Sequence, residues 1–67
     1  MDLPEYSRVR FVTDRFAAEG VLKGTFGYII AAYPDGDYEV EVSDRNGISI
    51  AQVVAREDDL ELAEPPD

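Results

Sequence analysis

Residues 25–42, TFGYIIAAYPDGDYEVEV, decide the fold of this chain. The first nine residues are mostly β-branched or aromatic, which favours a strand. The PDG that follows is typical of a tight turn, and YEVEV then alternates apolar and acidic residues at the period of a strand. Tyr38, Val40 and Val42 therefore share one face, and Glu39 and Glu41 share the other. We predict a β-hairpin with one apolar and one acidic face.

Segments on both sides of this hairpin extend the pattern. Upstream, RVRFVTD (8–14) alternates like a half-buried strand, and the glycine-bounded RFAAEGVLKG (15–24) predicts a folded-back loop. Downstream, Asn46–Gly47 indicates a tight turn, ISIAQVVA (48–55) a fourth strand, REDD a single 3-10 turn, and LELA (60–63) a closing strand. We therefore predict an all-β fold, a five-stranded SH3-like partly open barrel with one short 3-10 turn before the last strand.

A chain of 67 residues is long enough for one small domain. We expect a lead-in over residues 1–7, the SH3-like barrel over 8–63, and a disordered acidic tail over 64–67. Gly27, inside the second strand, predicts a bulge or a sharp bend. The predicted core consists of the aliphatic and aromatic residues Val9, Phe11, Val12, Phe16, Val21, Leu22, Phe26, Ile29, Ile30, Val40, Val42, Ile48, Ile50, Val53, Val54, Leu60 and Leu62.

The net charge of −9 is concentrated in one part of the chain. Residues 1–23 are neutral, whereas residues 24–67 carry eleven carboxylates against Arg45 and Arg56 alone. Such a field repels phosphate and anionic membranes, so we expect no nucleic-acid partner and no membrane partner. The same field attracts a basic protein surface. The alternative is that the charge only keeps a small protein soluble.

The residue types exclude most catalytic chemistry. The chain has no cysteine and no histidine, which removes disulfides, thiolate metal sites and the commonest general base. The Asp35–Asp37 turn lacks the ligand spacing of a calcium loop, and a barrel of this size has no deep cleft for a catalytic Glu39–Glu41 pair. We expect no enzymatic activity, no metal and no cofactor. The absence of cysteine, together with the absence of a signal peptide or a long apolar segment, favours the cytoplasm.

The segment LKGTFGYIIAAYPDGDYEVEV (22–42) resembles the core of a family of small bacterial single-domain proteins. Members of that family, a domain of unknown function, typically read G-x-x-G-x-V-V, a Y-x-D-G turn, Y-x-V-E-F, and an acidic turn before a leucine strand. AREDDLEL (55–62) is similar to that last element, the acidic turn before a leucine strand. The resemblance spans roughly residues 8–62, although Val42 occupies a position where an aromatic residue is common. It implies an SH3-like barrel and, through the toxin-like genes expected beside such proteins, an antitoxin or immunity role. The glycine spacing also resembles the KOW modules, but those are basic RNA binders, so that likeness concerns fold alone.

A binding site for a basic partner protein is the functional prediction. Tyrosines beside carboxylates combine an apolar anchor with a charged rim. Packing in the core and the hairpin explains Tyr33 and Tyr38 better than binding does. Tyr28 is the surface candidate, because it points opposite to the inward direction inferred for Ile29. The predicted protein-binding residues are Tyr28, Asp35, Asp37, Glu39, Glu41 and Asp58. The alternatives are an accessory module that forms homo-oligomers through its edge strands, and a strand face that is acidic only because it is solvated.

Overall fold

The computed structural model describes residues 3–64, so residues 1–2 of the predicted lead-in and 65–67 of the predicted tail lie outside the described residues. The strands are β1 (Arg8–Phe11), β2 (Phe26–Ala32), β3 (Asp37–Ser43), β4 (Ser49–Arg56) and β5 (Leu60–Leu62). Two short 3-10 turns cover Ala17–Glu19 and Glu57–Asp59.

The five strands form one antiparallel sheet in the order β4-β3-β2-β1-β5. Strands β1 to β4 follow one another as neighbours, and β5 returns to pair with β1. Within residues 3–64, β4 and β5 do not pair, so the sheet is not closed into a barrel. The predicted all-β fold of five strands is confirmed, with the 3-10 turn Glu57–Asp59 before the last strand. A second turn, Ala17–Glu19, lies in the predicted loop and ends at Gly20 with a positive φ of 83°.

The core lies on one face of the sheet, which we call the inner face. The loop between β1 and β2 contributes Phe16 and Val21 to it, and the segment before β1 contributes Leu3, whose N–H donates to the Tyr38 hydroxyl at 3.0 Å. The buried apolar residues are Leu3, Val9, Phe11, Phe16, Val21, Ile29, Tyr38, Val40, Val42, Val53, Ala55 and Leu60.

The predicted core was too large. Seven of its members are more than a third exposed: Val12, Leu22, Phe26, Ile48, Ile50, Val54 and Leu62. For Phe26, Ile50 and Val54 the physical reason is the alternation of side chains along a strand, which sends neighbours to opposite faces. The other four are Val12, Leu22 and Ile48, which lie outside the strands, and Leu62, the last residue of β5. In β4, for example, Val53 and Ala55 point into the core, and Val54 between them is 46% exposed. Hydrophobicity alone does not say which face of a strand a residue occupies, or whether an apolar residue between strands is buried.

Gly27 is explained by a close approach rather than by a bulge. It pairs in register with Val9, and the register shift in this strand falls between Ile29 and Ala31. A Cβ atom on Gly27 would lie 2.8 Å from a methyl group of Val40 and 2.9 Å from the Glu41 carbonyl oxygen. Only glycine fits that position without displacing β3.

A buried carboxylate ties the long loop to the last 3-10 turn. Asp59 is 8% exposed, and its Oδ2 accepts hydrogen bonds from the Arg56 backbone N–H at 2.9 Å and from the Arg15 guanidinium at 2.5 Å. Arg15 also lies over the Phe16 ring, 4.5 Å from its centroid. The hydrogen bond from Arg15 is the main cause that lowers the pKa of Asp59, against the opposing effect of burial. This contact closes the loop over the core.

Candidate functional site

The side of the sheet opposite the core, which we call the outer face, carries Phe26, Tyr28, Glu39, Glu41, Ile50, Gln52 and Val54 on β2, β3 and β4. Cross-strand pairing places Tyr28 beside Glu41, and Glu41 beside Gln52. Glu39 lies between Ala31 and Val54 in the same way. Directly opposite residues of an antiparallel pair interact through side chains about 5 Å apart, so each carboxylate here has close neighbours on both sides.

Glu39 is held in one orientation by a tyrosine. The Tyr33 hydroxyl donates a hydrogen bond of 2.6 Å to Glu39 Oε1. This bond is the main cause that raises the pKa of the Tyr33 phenol, followed by partial burial of the ring. Tyr33 is therefore neither a core residue nor a free surface group. It fixes the position of a carboxylate on the outer face.

A groove of about 750 Å³ opens at one end of the outer face. Phe26, Tyr28 and Ile50 supply apolar side chains that are 42% to 56% exposed. Arg8 and Arg45 bring positive charge to the groove. The Arg8 guanidinium lies 3.9 Å from the centre of the Phe26 ring, an arrangement that holds the cation against the aromatic face.

The opposite end of the molecule is acidic. A shallow cavity of about 480 Å³ is lined by Asp35 and Gly36 from the turn between β2 and β3, by Asp37 at the start of β3, and by Arg56, Glu57 and Asp58 at the end of β4 and in the second 3-10 turn. Asp35 accepts a hydrogen bond of 3.2 Å from the Asp37 N–H, which is ordinary turn chemistry. Over residues 3–64, no group of three or more acidic side chains is arranged to hold a metal ion.

The structure separates the six predicted site residues into three places. It brings Asp35, Asp37 and Asp58 together at the acidic cavity, although they come from different turns. It places Glu39 and Glu41 in the middle of the outer face, and Tyr28 in the groove. Since Asp37, Glu39 and Glu41 are alternate residues of β3, they form one row of carboxylates that runs from the acidic cavity toward the groove.

Of the five groove residues named above, sequence reasoning missed four, namely Phe26, Ile50, Arg8 and Arg45. One signal for Phe26 was available in the sequence. Phe26 and Tyr28 are two residues apart in a strand, so a surface position for Tyr28 implies a surface position for Phe26. Arg8 could not be found in this way, because it reaches Tyr28 only through the pairing of β1 with β2.

The sequence was compared with known protein families, curated proteins and solved structures. A family model for a domain of unknown function, DUF4926, matches residues 1–62. The chain belongs to the DUF4926 family. No curated protein and no solved structure matches the chain significantly. The DUF4926 assignment agrees with the expected resemblance to a family of unknown function and names no activity. No helix among residues 3–64 has the length and apolar character needed to cross a membrane.

Proposed function

We propose that this DUF4926 domain is a non-enzymatic protein-binding module that docks a basic partner protein on its outer face. One observation carries the proposal. The outer face presents exposed Phe26, Tyr28 and Ile50 next to the carboxylates Glu39 and Glu41. Protein-binding surfaces combine aromatic anchors that are desolvated on docking with charged residues that set orientation and association rate.

The uneven charge of the face gives the partner an orientation. Asp35, Asp37 and Asp58 lie at one end, and Arg8 and Arg45 lie at the other. The complementary partner segment has basic residues at one end and an apolar side chain at the other. Its cations then contact the row of carboxylates, and its apolar side chain enters the groove. The opposite orientation places cations beside the two arginines and costs Coulomb energy.

The proposed role is neutralisation of that partner, in the manner of an antitoxin or immunity protein in the bacterial cytoplasm. Two features support it: the concentration of acidic residues in residues 24–67, and the resemblance of the chain to small bacterial proteins whose genes are expected beside toxin-like genes. A net charge of −9 also accelerates capture of a basic protein by electrostatic steering.

The test is retention of a partner by the tagged full-length chain in an extract of its own host, with the neighbouring gene product as the first candidate. We expect specific retention that weakens as salt is raised, because exposed charges are screened. Glu39→Lys with Glu41→Lys should abolish retention. The matched control is Glu5→Lys with Glu19→Lys, which changes the net charge equally at exposed positions outside the outer face.

Two outcomes reject the proposal. If no protein is retained above background, the domain is an accessory module and its acidity serves solubility. If the two double variants lose the partner equally, net charge rather than the outer face governs the interaction. A thermal melt of each variant establishes that the fold is retained.

A further inference from the structure

The two edges of the sheet differ in length and in protection. Strand β5, at one edge, has three residues, and its Glu61 is paired with Arg10 of the neighbouring strand. Strand β4, at the other edge, has eight residues, contains no proline and no carboxylate, and carries a single charge at its last residue, Arg56. Natural sheets usually protect an edge with charges, proline or a short strand, because an open edge offers unpaired backbone groups to another strand. Of these devices strand β4 has only the charge of Arg56, and it has one irregularity, a register shift against β3 that leaves Ile50 without a Cα partner there.

We propose that two copies of this chain pair antiparallel through β4, with Gln52 opposite Gln52 of the second copy, to form one continuous ten-stranded sheet. This contact shares Ile50 with the groove of the proposed docking surface. It does not depend on that proposal, because the dimer is measured with the chain alone. A two-fold axis perpendicular to the sheet keeps both inner faces on one side. In this arrangement the side chains of directly opposite residues point to the same face of the sheet, as they do in any antiparallel pair.

The register follows from two exposed aliphatic side chains of β4. Ile50 is 56% exposed and Val54 is 46% exposed, and both belong to the outer face. They lie at equal distances from Gln52 along β4, two residues on either side. Centring the pair on Gln52 sets Ile50 of each copy directly opposite Val54 of the other. The two cross-strand contacts between aliphatic side chains cover apolar surface that a single copy leaves in water.

Charge favours a second copy at this edge more than at the other edge of the sheet, β5. Two molecules of net charge −9 repel each other, so they associate best where carboxylates are absent. Strand β4 has none, whereas β3 and β5 both contain glutamate. Each copy has one β4 edge, and the isologous pairing uses the β4 edges of both copies. The assembly therefore closes at two copies and does not extend into fibres through β4.

The test begins with sedimentation of the full chain over a range of concentrations, where we expect a reversible dimer. Ile50→Lys with Val54→Lys places like charges opposite each other at both cross-strand contacts. We expect its dissociation constant to rise about tenfold or more, since each such contact changes by about 1 kcal/mol or more and 1.4 kcal/mol is a factor of ten. Ile50→Glu with Val54→Lys restores the dimer, because each introduced glutamate then faces the introduced lysine of the other copy. Within one copy these two positions are about 13 Å apart and cannot form that pair.

A second measurement uses the absence of cysteine in the chain. Gln52→Cys places the two sulfurs across the two-fold axis, so mild oxidation should give a disulfide-linked dimer. Lys23→Cys, at an exposed position in the loop between β1 and β2, is the matched control and should give no covalent dimer under the same conditions. A monomer at all concentrations, or a dimer that tolerates Ile50→Lys with Val54→Lys, overturns the proposal. Equal cross-linking of the two cysteine variants also overturns it.

Discussion

The two faces of β3 are built from alternate residues of one strand and have opposite surroundings. Tyr38, Val40 and Val42 on the inner face are at most 5% exposed and contact the core, whereas Glu39 and Glu41 on the outer face remain partly in solvent. The outer face nevertheless has exposed aromatic and aliphatic side chains beside it on β2 and β4. Apolar residues in this protein therefore have two uses. Those on the inner face stabilise the fold, and those on the outer face are available for contacts with other molecules.

The largest expected effect compares two adjacent isoleucines. Ile29 is fully buried, and Ile30 lies at the register shift of β2 and is only half-buried. Ile29→Ala should lower the free energy of unfolding by about 2–5 kcal/mol, because it removes apolar contacts and leaves a cavity. Ile30→Ala should cost less than half as much. Urea denaturation of the two variants measures the difference, and equal losses contradict the assignment of the faces.

The next effect concerns the buried carboxylate at the edge of the core. Asp59→Asn should cost about 1–3 kcal/mol of stability, since it weakens hydrogen bonds to Arg15 and to the Arg56 N–H. Asp58→Asn, at the exposed neighbouring position, is the control and should change stability by less than about 0.5 kcal/mol.

The pH dependence of Asp59 has a definite sign. Its pKa is lower in the folded chain than in the unfolded chain, so its contribution is complete above the ordinary carboxyl pKa of about 4. The contribution is lost as the pH falls through the lowered pKa of the folded state. The stability difference between the parent and Asp59→Asn should therefore be constant from pH 5 to 8 and shrink below pH 4, as acid-dependent denaturation curves can measure. A difference that grows on acidification is inconsistent with this assignment.

The next comparison concerns two tyrosines on opposite faces, of which the outer one should have only a small effect on stability. Tyr28 is 42% exposed and lies in the groove, whereas Tyr38 is 5% exposed and accepts the Leu3 N–H. Tyr28→Ser should cost less than about 1 kcal/mol of stability but reduce binding of the proposed basic partner. Tyr38→Ser should destabilise the fold by several times more. If Tyr28→Ser leaves partner binding unchanged while the outer-face charge reversal abolishes it, the groove is not part of the docking surface.

The smallest effect is a change in one phenol pKa. Glu39→Gln should lower the pKa of Tyr33 toward its ordinary value of about 10, because the charged acceptor of its hydrogen bond is removed. Glu41→Gln, two residues along the same face, should leave the Tyr33 titration unchanged. Ultraviolet difference spectra or NMR chemical shifts follow this titration. Equal effects of the two substitutions indicate that general charge, and not the hydrogen bond, sets the pKa.

Much of the fold was predictable because strand alternation and turn chemistry are local properties. YEVEV indicated which side chains of β3 share a face, and Asn46–Gly47 indicated the turn between β3 and β4. The candidate site was predicted only in part. Its carboxylates were named from their position on the hairpin, but Phe26 and Ile50 were assigned to the core because hydrophobicity does not distinguish the two faces of a strand.

The amino-acid sequence by itself determined the all-β class, the five strands and the acidic character of the chain, because these follow from residue type and from a period of two. Only the tertiary structure decided which residues far apart in the chain meet. Arg15 reaches Asp59 across 44 positions, and Gly27 is required by the close approach of Val40 from the neighbouring strand. The open edge of β4 likewise depends on strand order. Strand order is set by packing between distant segments, and no local pattern of residues carries that information.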